Sequence, residues 1–148
     1  MKVNVKGIVN IDTYRDGRLL WSFEDKNLIV NVGLALITAR MEGVTKDVIT
    51  HMAVGDDGTA PSGGDTDLVS MLGSRLVLDS TNIVTTAVAN DTIQYICTFG
   101  EGVSTGGLEE AAIFNAAAGG DMLSRIAFPV KNKGALDVSV ITWKIVFN

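Results

Sequence analysis

The only histidine, His51, lies in Val48-Ile49-Thr50-His51-Met52-Ala53-Val54, where it alternates with Ile49 and Ala53. A Ser-His-Asp arrangement needs a base oriented by a third group, and a two-histidine metal site needs a second imidazole. The surrounding sequence offers neither, so His51 reads as a strand-face residue. Asp56, Asp57, Asp65 and Asp67 place carboxylates on a glycine-rich loop, and calcium takes such oxygen ligands. Their spacing lacks the alternating acidic positions and terminal glutamate of an EF-hand loop, and turn or capping roles suit them better. Glu109 and Glu110 are adjacent, so on a strand they point to opposite faces and do not pair as acid and base. One is expected to be buried with a partner and the other solvated.

The remaining candidates are weaker. Gly100-Glu101-Gly102-Val103-Ser104-Thr105-Gly106-Gly107 has neither the lysine nor the glycine spacing of a phosphate-binding loop, and reads as a mobile connector. Cys97, the single cysteine, sits in the apolar run Ile93-Gln94-Tyr95-Ile96-Cys97-Thr98-Phe99. It excludes an intramolecular disulfide and a multi-cysteine zinc site, and reads as a buried structural thiol. Trp21 and Trp143 fall in strand patterns, where core packing is their commoner role. With no nucleophile, base or cofactor loop, the chain reads as non-enzymatic, with no catalytic, cofactor-binding or metal-binding residues.

These residues must be carried by a chain of 148 residues, 47% hydrophobic and 20% charged. That length suits one domain, 1–148, able to bury roughly 68–70% of its unfolded surface. A net charge of −5 disfavours nucleic acid, which needs a concentrated basic face. Lys131 and Lys133, the only close basic pair near the C-terminus, read as a solvated turn before Gly134. The opening residues lack an apolar signal core and no apolar run is long enough for a membrane span, so the product is expected to be cytosolic when made, with no membrane association.

Val3, Val5, Val9 and Ile11 alternate with polar neighbours, and Asp16-Gly17 supplies a hairpin turn into a return strand over 19–24. Residues 32–41 form the one expected helix, with Asn31 as N-cap and Gly43 just past its end. Further strands are expected at 48–54, 75–78, 83–89, 92–99, 109–114, 122–128 and 138–147, with a short helical turn over 65–72 capped by Asp65. In the last strand Ser139, Ile141, Trp143, Ile145 and Phe147 form the heavier, core-facing set. This pattern predicts a mainly β fold: an antiparallel β-sandwich, jelly-roll-like, with one short α-helix.

Between the strand ending at Val54 and the next apolar run lies a long loop of turn-formers. Loops of that length in small domains are usually functional or disordered. Gly55, Asp56, Asp57, Gly58, Thr59, Ala60, Pro61, Gly63, Gly64 and Asp65 are therefore the candidate partner interface. The glycines permit close backbone approach, and Pro61 reduces the entropy lost on ordering.

Five segments resemble a group of small tailed-bacteriophage virion proteins, of head-decoration (cement), tail-collar or tail-fibre type. They are Asn31-Val32-Gly33-Leu34-Ala35-Leu36-Ile37; Met52-Ala53-Val54-Gly55-Asp56-Asp57-Gly58-Thr59-Ala60-Pro61; Asp65-Thr66-Asp67-Leu68 with Arg75; Leu108-Glu109-Glu110-Ala111-Ala112-Ile113-Phe114-Asn115; and Leu123-Ser124-Arg125-Ile126-Ala127-Phe128. The resemblance implies a non-enzymatic structural protein located in the virion after assembly in the host cytoplasm. It implies a homo-oligomer, dimer or trimer, partnered by the major capsid protein or other virion proteins. A capsid decoration protein bridging capsid subunits is the leading expectation. A tail-collar, baseplate or fibre-anchoring component is the second, and a carbohydrate-binding host-recognition module, prompted by Trp21, Trp143 and the acidic loop, the third.

Overall fold

Strand alternation at the start of the chain becomes a two-faced ribbon. A computed structural model describes residues 2–148. In β1 (Val5–Arg15), Val9, Ile11 and Thr13 are buried while Ile8, Asn10 and Asp12 remain half-exposed on the other side. Asp16 and Gly17 take left-handed φ angles of 50° and 74° and return the chain into β2 (Arg18–Ile29). Two left-handed central residues give the turn whose twist matches that of the paired strands. β2 continues beyond the expected end at Glu24, because its last residues pair with a second strand further along the chain.

α1 (Asn31–Glu42) follows at once. Val30, not Asn31, occupies the N-cap, with no side-chain cap. The Asn31 amide instead donates to the Gly63 carbonyl at 2.8 Å, drawing the long loop to the helix start. Gly43 ends the helix at φ 80°, and the amides of Gly43 and Val44 return to the carbonyls of Arg40 and Ala39. At Gly33 a Cβ would sit on the Leu123 carbonyl, so the missing side chain lets the helix lie directly on the sheet.

The remaining strands are β3 (His51–Gly55), β4 (Leu76–Val77), β5 (Ser80–Val84), β6 (Thr92–Phe99), β7 (Gly106–Phe114), β8 (Met122–Lys133) and β9 (Val138–Phe147). All pair antiparallel, in the order β4-β3-β7-β8-β2-β1-β9-β6-β5. The joint between β8 and β2 is short, Leu28 opposite Arg125 and Ile29 opposite Ser124. On either side of it the sheet curls into two halves that share one core. Ile11, Cys97, Ile141 and Trp143 from one half meet Met52, Ile113 and Ile126 from the other. β4 and β5 lie at opposite ends of the order, yet only Leu78 and Asp79 separate them. The Leu78 amide bonds to Thr50 beside β3 and the Asp79 amide to Ile96 of β6, so the two ends of the sheet are brought together. The chain thus has the expected antiparallel β architecture with one short helix, and its hydrogen bonding is continuous from β4 to β5.

Ser139, Ile141, Trp143 and Ile145 are buried and Phe147 is half-buried, as the alternation in β9 requires. Three further local expectations are corrected. Residues 65–72 form no helical turn, because the amides of Val69 and Ser70 are taken by the Glu110 carboxylate. β5 begins at Ser80 and stops at Val84, because the amides of Thr86, Ala87 and Val88 turn inward to Asp91. Lys131 and Lys133 belong to β8 and not to a solvated turn; Lys133 is buried, and its Nζ donates to the Gly100 carbonyl at 2.8 Å. Burial lowers its pKa.

Candidate interaction site: a loop locked to the sheet by a buried charge pair

The long loop does not project from the molecule along its whole length. Its second part lies across the outer face of β3, β7 and β8, where Leu68 packs with Ala53, Ala112, Phe114 and Met122 in a second apolar cluster. Ala53 pairs with Ala112, and these two small residues on neighbouring strands leave room for the covering chain.

Glu110 and Arg125 stand on this covered face, on neighbouring strands, each 0% exposed. Arg125 donates to Glu110 Oε2 from Nη2 at 2.8 Å and from Nε at 3.0 Å. Its other donors reach the loop: Nη1 to Asp65 Oδ2 at 3.0 Å and Nη2 to the Thr59 carbonyl at 2.9 Å. Glu110 in turn accepts from the Val69 amide at 3.0 Å and the Ser70 amide at 2.7 Å. A buried ion pair is tolerable only when its remaining hydrogen-bonding capacity is met. Here the loop meets it. At Gly55 a Cβ would fall onto the Glu110 carboxylate and the Ser70 carbonyl, which explains glycine at the loop entrance.

A second arginine fastens the end of the same loop. The Arg75 guanidinium lies 3.5 Å from the Phe114 ring centroid, donates to the carbonyls of Ala116 and Gly119 at 3.0 and 2.7 Å, and pairs with Asp67 at 3.3 Å. The four loop aspartates are thus unlike one another. Asp65 and Asp67 each meet a buried arginine, and Asp57 caps a turn through the Thr59 amide at 2.8 Å. Hydrogen bonds from Thr59 hold the Asp57 pKa below its ordinary value. Asp56 is exposed. Among the described residues no group of three or more His, Cys, Asp or Glu side chains is placed to hold a metal ion.

Of the candidate interface residues, Asp56, Gly58, Thr59, Ala60 and Gly64 are exposed, while Asp57, Pro61, Gly63 and Asp65 are half-buried and Gly55 is buried. The exposed residues of the candidate interface therefore lie within the 56–64 arch, with Gly55 and Asp65 as its footings. His51 is half-buried, its Nδ1 sharing a 2.8 Å hydrogen bond with Thr50 Oγ1. Trp143 is fully buried, and Trp21 is half-buried with Nε1 donated to the Asn132 carbonyl, so the two do not form an open aromatic platform. One of the adjacent glutamates, Glu110, is buried with a partner, as expected, while Glu109 is half-buried and not fully solvated. Sequence reasoning gave Arg125 no role. The available signal was a cation inside the apolar run 122–128, since arginine is almost never fully buried unless paired.

No protein-family model, curated protein or solved structure matches this chain.

Proposed function

We propose that the chain is a non-enzymatic structural protein of a tailed-bacteriophage virion, and within that class a capsid decoration protein that bridges capsid subunits. One observation carries the reading. Residues from four of the five segments behind the resemblance converge on the loop-fastening contacts: Thr59, Asp65, Asp67, Arg75, Glu110, Phe114 and Arg125. What those segments have in common in the fold is the holding of a loop in place. A loop held before it meets a partner loses less conformational freedom on docking, which suits a permanent structural contact. The net charge of −5 suits a basic surface on the partner.

Purified protein mixed with expanded capsids and, separately, with isolated tails tests the reading, with gold-labelled protein located by electron microscopy of the particles. Label over the head surface supports the decoration role. Label confined to the tail assigns the chain to a collar, baseplate or fibre anchor instead, and label on neither rejects the virion reading.

A further inference from the structure

α1 carries large apolar side chains on both its inner and its outer side. Gly33 and Leu36 face the sheet, while Leu34 and Met41 are solvent-exposed, Met41 at 84%. They share the outer face with the polar residues Thr38, Arg40 and Glu42, and large apolar side chains left exposed beside a groove mark an interaction surface. Beside it runs an open groove of about 440 Å³ between the helix, the following 47–49 segment and the ends of β6 and β9. Its floor is core: Leu36, Ile49, Ile93, Tyr95 and Phe147. Ile83 pairs with Ile93 and so shares its face, extending the apolar surface to the edge strand β5, where it is 68% exposed.

Two charges line this groove, Arg40 and Asp47. The Arg40 side chain makes one hydrogen bond, from Nη1 to the Lys46 carbonyl at 2.9 Å, and among the described residues it meets no carboxylate. The Asp47 carboxylate likewise meets no cation among them; its neighbour Lys46 is engaged with Asp121. An apolar patch with one unpaired charge of each sign can complement itself across a two-fold axis, where residue i meets j and j meets i.

We propose that this groove binds a second copy of the chain, related by a two-fold axis. Met41 of each protomer enters the groove of the other, and Arg40 of each faces Asp47 of its partner. The proposal goes beyond the virion reading and stands whether or not that reading holds.

Sedimentation equilibrium of the full chain tests it. The expected species has twice the 15.7 kDa chain mass. Asp47→Arg sets like charges together at two symmetric points. At about tenfold for each, it is expected to raise the dimer dissociation constant about a hundredfold. Arg40→Asp combined with Asp47→Arg restores the reciprocal pairing and the dimer, which a misfolded chain cannot do; thermal unfolding of each variant checks the fold. A monomer at all concentrations, a trimer, or a dimer indifferent to Asp47→Arg overturns the proposal. So does a monomer carrying a co-purified apolar small molecule in native mass spectrometry, which would assign the groove to a ligand. Capsid binding is scored separately, so loss of one property leaves the other measurable.

Discussion

Glu110 on β7 and Arg125 on β8 form a buried ion pair at 2.8 Å, and the loop that covers them supplies further hydrogen-bond partners to both. The pair and the loop are therefore interdependent. Without the loop, two charges would be left on an open apolar face; without the pair, the amides of Val69 and Ser70 would lose their acceptor.

Removing one partner should be costly. Arg125→Met keeps much of the volume but strands the Glu110 charge, and breaking such a pair costs about 3–5 kcal/mol. Urea unfolding of Arg125→Met is expected to show a loss of that size. The same variant should be cut within 56–70 by a protease of broad specificity under conditions where the parent chain survives.

Two loop glycines separate backbone packing from backbone freedom. Gly55→Ala drives a Cβ into Glu110 and Ser70 and should destabilise by about 1–3 kcal/mol. Gly64 has open space around the added atom and no left-handed φ, so Gly64→Ala should be neutral or stabilise by up to about 1 kcal/mol. Thermal unfolding of the two variants distinguishes them.

Cys97 is buried, and desolvation together with the nearby Asp79 pushes its pKa up to about 12. The thiolate is the reactive form. Iodoacetamide should leave the folded chain unlabelled at pH 8 and modify it fully in urea, as mass spectrometry would show.

Asp91 accepts amide hydrogens from Val88, Thr86 and Ala87 and the Thr92 hydroxyl, and these bonds hold its pKa well below the ordinary carboxylate range. A folded-state pKa depressed in this way contributes stability above the unfolded value of about 3.9, and that contribution is lost as pH falls towards the folded value. Asp91→Asn should therefore lower the thermal midpoint at neutral pH, and the gap to the parent chain should narrow steadily below about pH 4.

Local patterns in the sequence account for much of this fold. The Asp16-Gly17 turn, the stop at Gly43 and the inward set of β9 each follow from a few neighbouring residues. What local pattern missed depends on partners far along the chain. The amides of residues 69 and 70 would suit a helical turn until a carboxylate 40 residues away claims them. Lys133 looked solvated beside Gly134, yet the Gly100 carbonyl holds its ammonium inside. The acidic loop was visible as a candidate site from its composition. That Asp65 and Asp67 serve as anchors, leaving the 56–64 arch as the exposed part, required the positions of Arg125 and Arg75.

Amide hydrogen exchange at Val69 and Ser70 tests most directly whether the loop is locked to the sheet before any partner arrives. Both amides are expected to exchange as slowly as those of the adjoining strands β3 and β7, and to become fast in Arg125→Met while the strands stay protected. Exchange of Val69 and Ser70 at unprotected rates in the parent chain would contradict the account.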